Sequence, residues 1–249
     1  MQIPLKHFVQ KTVLPLSALF CSISGFGQTT AINKNPQAIL KHGIEQYQNG
    51  HYNLATHTLT EFLEYNKNTA QKTEDNLPYA DRAQALYYKM LSGVKLRDHR
   101  LIVEAKRYVE EEVNVHNQQR VAYELAKYYL EDNRDLNASI YYYELAGVSN
   151  LTNAEIADSK FELGYAYFIT QQFDKARNLF VGIKDIASNK YYLPANYYYG
   201  LLSYKEGRLD EALASFKRVR DAEEYKDIIP YYEAEIYYFK KEYDKVLSH

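Results

Sequence analysis

The sequence FELGYAYFITQQFDKARNLFVGI, residues 161–183, contains two short apolar runs separated by a polar turn. In the first run, from Phe161 to Phe168, the apolar side chains recur three and four residues apart, and the second run repeats that spacing from Phe173 to Ile183. Such spacing places the apolar residues on one face of an α-helix. The stretch therefore predicts a helical hairpin with its turn at residues 171–172.

The same hairpin pattern recurs along the chain. Each copy has a small residue in its first helix: Gly43, Gly93, Ala126, Gly164, Gly200 and Ala234. Twelve positions after these stand Ala55, Ala105, Ala138, Ala176, Ala212 and Val246, and after the first five of these a larger apolar residue follows four positions on. Successive copies are 33 to 38 residues apart, except for a longer first interval that contains the polar stretch 66–76. A period of this length predicts a repeat solenoid.

The small residues have a physical purpose in such a hairpin. Two antiparallel helices approach closely only where the side chains at their crossing are small. Gly43 and Ala55 would form one such crossing. Because glycine inside a helix costs about 0.5 to 1 kcal/mol relative to alanine, its use at Gly43, Gly164 and Gly200 indicates a compensating close contact.

These residues resemble tetratricopeptide repeats (TPRs), whose units combine Leu-Gly and an aromatic residue in the first helix with Ala and Phe in the second. The fourth copy carries that pattern as Leu163, Gly164, Tyr167, Phe173, Ala176 and Phe180. The middle copies depart from it, since Ala126 replaces the glycine, Asp135 stands where an aromatic residue is usual, and the proline after the second helix is missing.

The resemblance covers roughly residues 35–249. It implies an all-α, right-handed superhelical solenoid of antiparallel helix pairs, with units at about 36–68, 78–115, 118–148, 154–188 and 191–224 and an incomplete sixth unit at 229–249. Because solenoids usually end in a capping helix with a polar outer face, we expect the chain to be an N-terminal fragment of a longer repeat protein. A naturally short end is the alternative.

Residues 1–27 have the three-part form of a secretory signal peptide. The basic Lys6 and Lys11 precede an apolar stretch at 13–26, and small residues end the segment. We predict cleavage after Gly27 and a linker at 28–34. A membrane anchor is the alternative, but the run is shorter than the roughly 20 residues of a spanning helix and Pro15 interrupts it.

The single cysteine, Cys21, lies inside this segment, so the mature chain would contain no disulfide. Lipidation at Cys21, as in bacterial lipoproteins, is the other interpretation, and the bulky Phe20 directly before it argues against it. We therefore expect a bacterial exported protein, located in the periplasm or associated with the outer membrane.

Charge and motifs argue against several functional classes. Without the leader, 28 basic residues stand against 32 acidic ones, and no basic stripe runs along the chain, so a nucleic-acid partner is not expected. The seven histidines are scattered, and the sequence contains neither an HExxH nor a GxSxG motif nor a phosphate-binding glycine loop. We predict no catalytic residues, no metal site and no cofactor, and hence not an enzyme.

In the resembled family, the first helix of each unit lines a concave groove that holds a peptide. By that resemblance, the groove of this chain would contain Leu40, Ile44, Tyr47, Tyr123, Lys127, Phe161, Tyr165, Phe168, Tyr197, Leu201, Tyr204, Tyr231 and Tyr238. Tyrosine combines a large, fairly rigid contact area with a hydroxyl group, which suits a protein or peptide partner. Simple packing between repeats is the alternative for each single ring.

Two functions remain open at this point. The first is a protein- or peptide-binding scaffold of the cell envelope. The second is an accessory repeat arm of a larger protein, whose catalytic or sensory domain would lie beyond the C-terminal end of this chain. In either case, an exposed helix face in the incomplete last repeat would offer a seam for self-association.

Overall fold

Each sequence copy forms a pair of helices in the computed structural model, which describes residues 35–69 and 78–246. The helices of this part are α1 (Pro36–Gln48), α2 (Tyr52–Thr69), α3 (Tyr79–Leu96), α4 (His99–Glu111), α5 (Val115–Tyr128), α6 (Leu136–Ala146), α7 (Asn153–Ile169), α8 (Phe173–Val181), α9 (Tyr192–Lys205), α10 (Leu209–Lys217), α11 (Ile229–Phe239) and α12 (Tyr243–Val246).

The prediction of an all-α array of helix pairs is confirmed, and the described residues contain no strand. The odd-numbered helices are the first helices of the pairs, and the even-numbered ones are the second helices. First helices of neighbouring pairs also contact one another, as α1 does α3, α3 does α5, and α7 does α9. The predicted signal peptide at 1–27 and the linker at 28–34 lie outside the described residues.

The turn inside each pair is built around one residue with left-handed backbone dihedrals. These residues are Gly50, Arg97, Arg134, Gln171, Gly207 and Lys241, with φ between 53° and 77°. A residue in this conformation ends a helix because its N–H can reach back to one of the last carbonyl groups. At Gln171, for example, the N–H donates to the Phe168 carbonyl at 3.1 Å. The polar turns that the sequence predicts therefore stop each first helix.

Glycine provides the close crossing inside a pair. A Cβ atom at Gly200 would lie 2.5 Å from the Phe216 ring, and one at Gly164 would lie 2.9 Å from the Phe180 ring. The second pair differs, because Gly93 faces Leu101, eight positions on. The reason is the short turn before α4, which begins six residues after Gly93 rather than the nine or ten seen in the other pairs.

In the third pair, Asp135 stands where an aromatic residue is usual because it caps the second helix. Helix α5 continues as a π-helical segment over Tyr129–Asn133, and α6 begins directly afterwards. The Asp135 carboxylate accepts the Ala138 N–H at 3.0 Å, which makes it the N-cap of α6. A side chain that satisfies a free N–H thus stands where the other pairs have an apolar residue.

At the first five small residues, the residue three positions before the small residue is buried between neighbouring pairs. These joint residues are Leu40, Met90, Tyr123, Phe161 and Tyr197, and each is at most 3% exposed. The Phe161 ring stacks on Tyr191 with ring centroids 4.3 Å apart, and Tyr197 stacks on Tyr225 at 4.8 Å. The second ring of each stack comes from the segment before the next first helix, so the fourth and fifth pairs are each covered at this point by the segment that leads into the following pair.

Candidate functional site

The first helices carry a continuous surface, which we call the first-helix face: the side chains of α1, α3, α5, α7, α9 and α11 that are not enclosed in the core. Nine of the predicted groove residues lie on it. Partly exposed are Ile44, Tyr47, Lys127, Tyr165, Phe168, Leu201 and Tyr204. Tyr231 and Tyr238 are strongly exposed, at 76% and 60%.

The other four predicted groove residues belong to the core. Leu40, Tyr123, Phe161 and Tyr197 are joint residues and are at most 3% exposed. A side chain so enclosed cannot touch a partner in this conformation, and we leave these four out of the binding surface. The sequence pattern could not separate them from their neighbours, because burial at a joint depends on residues about 30 positions further along the chain.

The C-terminal part of the face is aromatic. Tyr165 and Phe168 contact the buried ring of Tyr198 at centroid distances of 5.5 and 5.0 Å, and Tyr204 contacts Tyr232 at 5.7 Å. Burial, with a contribution from nearby Glu235, raises the pKa of Tyr204 to about 12. Its hydroxyl already interacts with the Glu235 carboxylate, which helps to hold the ring in place.

The N-terminal part of the face contains two rings that the sequence analysis missed, Tyr87 and Tyr88 on α3. Tyr47 contacts Tyr88 at 5.1 Å, and Tyr88 contacts Tyr87 at 5.0 Å. Counted from the small residue of their copy, Tyr87 and Tyr88 stand six and five positions before Gly93. The next copy has Arg120 and Val121 there, so a comparison of copies gave no aromatic signal.

The middle of the face is ionic. The Lys127 ammonium group lies 3.4 Å from Glu162 and 3.7 Å from both Glu131 and Asp158. Burial favours the neutral amine, but these carboxylates more than compensate and raise the pKa of Lys127. Glu162 also accepts a hydrogen bond from the Tyr143 hydroxyl. Its burial raises the pKa of its carboxyl group, although Lys127 opposes that shift.

Two further ion pairs tie first helices together. Lys95 on α3 contacts Glu124 on α5 at 2.7 Å, and Arg120 on α5 donates two hydrogen bonds to Glu155 on α7, at 3.0 and 2.9 Å. These charges, like Lys127, are neutralised within the chain. The central part of the face therefore holds the pairs together, and the rings on either side of it remain available for contacts.

The comparisons with known proteins bear on the fold. The solved structure of MamA from AMB-1 matches 76% of this chain and 92% of the MamA chain, with a TM-score of 0.53 and 19% sequence identity. The chain has a TPR-like fold. PilF of Pseudomonas aeruginosa is also similar, with 15% identity, coverage of 86% and 87%, and a TM-score of 0.48.

A third solved structure contains the TPR-like repeats of a kinesin light chain from Podosopora anserina, with 16% identity, coverage of 75% of this chain and 95% of that chain, and a TM-score of 0.48. No protein-family description matches the sequence, and no curated protein matches it. At these identities the likeness is one of fold alone.

No helix within 35–69 or 78–246 has the length and apolar character needed to cross a membrane. In the same part of the chain, no three His, Cys, Asp or Glu side chains come together as metal ligands.

Proposed function

We propose that this chain is a repeat scaffold of the cell envelope that binds a protein or peptide partner on its first-helix face. The observation that carries the proposal is the set of half-exposed rings at Tyr165, Phe168 and Tyr204, each held in place by a buried or half-buried ring behind it. Rings that are already fixed lose little conformational entropy on binding. They therefore suit the anchoring contacts of an interface.

The fold and the charge distribution support this choice. TPR-like solenoids are interaction scaffolds in general, and extended surfaces across stacked repeats are what such proteins use for binding. Because the central charges pair with one another, the partner gains most from the C-terminal rings. We therefore expect apolar or aromatic partner side chains against α7 and α9.

The envelope location rests on the sequence of residues 1–27. We expect the protein isolated from its native cells to occur in the envelope fraction and to begin at Gln28. N-terminal mass spectrometry of that fraction measures both. An N-terminus at Met1, or acylation of Cys21, would contradict export by cleavage after Gly27.

Site-specific photocrosslinking in native cells tests the binding surface. A photoreactive phenylalanine analogue is placed in the full chain at Tyr165 or Tyr204 on the first-helix face. Matched control positions are Tyr141 on α6 and Val181 on α8, which are 54% and 46% exposed and lie on second helices. We expect one defined partner to crosslink from both first-helix positions and from neither control.

A variant that still folds tests whether Tyr165 itself contacts the partner. Tyr165→Ser should lower the crosslinking yield from position 204 at least several-fold, with helicity unchanged in circular dichroism, because an anchoring ring is lost. Equal crosslinking from the first-helix and control positions would overturn the proposal. An undiminished yield in the variant would show instead that Tyr165 is a packing residue.

A further inference from the structure

A cleft lies beside the N-terminal half of α3, outside the predicted groove residues. It has a volume of about 690 Å³, within the range of roughly 300–1,000 Å³ found for small-ligand sites. Helix α3, the turn between α4 and α5, and the first residues of α5 line it. The side chains that matter here are Tyr79, Asp81, Tyr87, Tyr88, Glu112 and His116.

The cleft includes a repeat position at which the last two pairs carry a ring. Nine positions before the small residue, the last two pairs have Tyr191 and Tyr225, which stack into the joint with the preceding pair. The corresponding residue before Ala126 is Asn117, which lines the cleft. An amide fills less space than a tyrosine ring, and Tyr79, Tyr87 and Tyr88 also line the cleft.

The lining favours a ligand that is both flat and positively charged. Tyr87 contacts Tyr88 at 5.0 Å and the His116 ring at 6.5 Å, which gives faces for stacking. Asp81 and Glu112 add two carboxylates, and none of the lining residues, all of them in the described part of the chain, is a lysine or an arginine. A guanidinium group stacks on aromatic rings and binds carboxylates with two parallel hydrogen bonds.

The two carboxylates keep acceptor capacity for such a ligand. Glu112 accepts the Asn114 N–H at 2.8 Å, and Asp81 accepts a hydrogen bond from Gln37, whereas a carboxylate offers about four acceptor sites. Arg120 also interacts with the Tyr87 side chain, and Glu155 binds its guanidinium group through two nitrogens.

A buried hydroxyl group, that of Tyr108, lies close to two residues that line the cleft, Glu112 and Asn117. The Tyr108 side chain is only 7% exposed, and within the described residues its hydroxyl makes no hydrogen bond of normal geometry. Burial raises the pKa of Tyr108, and the lining residues Glu112 and Asn117 lie near enough to influence it. Tyr108 therefore belongs to the electrostatic surroundings of Glu112, one of the two carboxylates of the cleft.

We propose that this cleft binds an arginine side chain of the partner peptide, stacked on Tyr87 and paired with Asp81 and Glu112. The inference rests on the proposed function and names one chemical feature of its partner. The site lies on α3 and α5, away from the rings of α7 and α9, so it anchors a second point of the same partner.

The test uses the full chain and a small probe, N-acetyl-arginine amide, titrated into ¹⁵N-labelled protein and followed by NMR. We expect saturable shifts of amide signals around Tyr87 and Asn117, with millimolar affinity. The citrulline analogue has the same shape without the charge, and we expect it to bind at least about tenfold more weakly. Equal affinities for the two probes would overturn the proposal.

Two variants locate the binding. Asn117→Tyr places a bulky ring in the lining of the cleft and should abolish arginine binding while helicity and thermal unfolding stay the same. Glu112→Gln keeps the acceptor for Asn114 and should weaken arginine binding several-fold without changing citrulline binding. Glu110→Gln, an exposed change on α4, is the matched control. Arginine binding that persists unchanged in both cleft variants would contradict the assignment.

The arginine titration and the crosslinking experiment can refute their two hypotheses separately. If the crosslinks from Tyr165 and Tyr204 appear but arginine does not bind, then only the cleft assignment is wrong. If arginine binds but no crosslinks form, the scaffold proposal is wrong and the cleft remains a site for guanidinium compounds.

Discussion

At the scale of single residues, the turns show how much of a hairpin depends on one backbone conformation. Six turns use a left-handed residue, but only Gly50 and Gly207 are glycines. A residue with a Cβ atom costs about 1–2 kcal/mol in this conformation. This conformational strain is therefore present at Arg97, Arg134 and two other turns, and it is absent at the two glycines.

Gly207 provides a clean measurement of this effect. A Cβ atom there would meet nothing within 4 Å, so Gly207→Ala changes backbone strain without a steric clash. We expect the free energy of unfolding to fall by about 1 kcal/mol, measured by urea denaturation.

Gln171→Ala in the equivalent turn serves as the control. Its backbone already has φ 62° with a side chain attached, and we expect a change below about 0.5 kcal/mol. If Gly207→Ala proved as neutral as Gln171→Ala, the left-handed residue could not be what limits these turns.

At the scale of elements, the link between α5 and α7 depends on Glu155. This carboxylate completes a capping box with Thr152 at the start of α7 and also accepts two hydrogen bonds from Arg120. Burial alone would raise the pKa of Glu155, but the hydrogen bonds from Arg120 and Thr152 lower it to about 2. One side chain therefore both starts a helix and joins two pairs.

The pKa shift fixes how this link depends on pH. A carboxyl group whose pKa is lower in the folded protein contributes stability above its unfolded value of about 4.3 and loses it as the pH falls towards the folded value. We expect Glu155→Gln to lower the free energy of unfolding by about 1–2 kcal/mol at pH 7, after allowance for screening of the exposed part of the pair. The difference from wild type should shrink from pH 5 to pH 3.

Urea denaturation at pH 7, 5 and 3 measures this difference. The exposed Glu110→Gln is a suitable control, because it should show little change at any of the three values. A wild-type advantage over Glu155→Gln that is as large at pH 3 as at pH 7 would mean that charge has no part in the link.

Helix α7 and its neighbours show which features of the fold the sequence reveals and which it does not. The hairpins follow from apolar spacing and small residues within about 20 positions, for example between Gly164 and Phe180, and such local signals are readable. The binding surface is less readable, because Phe161 and Tyr165 share one helix and both contact Tyr198, but Phe161 is also stacked on Tyr191, 30 positions along the chain. The Arg120 to Glu155 pair spans 35 positions, and nothing local marks either partner.

At the scale of the whole molecule, the joints between pairs are unequal. The α3, α5 and α7 joints combine buried side chains with ion pairs. At the other extreme, Tyr231 on α11 stands in the joint position that is buried in the five preceding pairs, and yet it is 76% exposed. Within the described residues, the pair of α11 and α12 is thus packed against a neighbour on one side, whereas α5 and α7 are packed on both.

This inequality predicts how the molecule opens. In a repeat array, the stability of a segment is approximately the sum of its own stability and that of its interfaces, and local opening precedes global unfolding where that sum is small. We therefore expect amide hydrogens in α11 to exchange at least about tenfold faster than those in α5 and α7, measured by native-state hydrogen exchange with mass spectrometry. Arg120→Gln should speed exchange in α5 and α7 and leave α11 unchanged. Uniform exchange along the chain would instead require the pairs to open as one cooperative unit, in which the unequal joints have no separate effect.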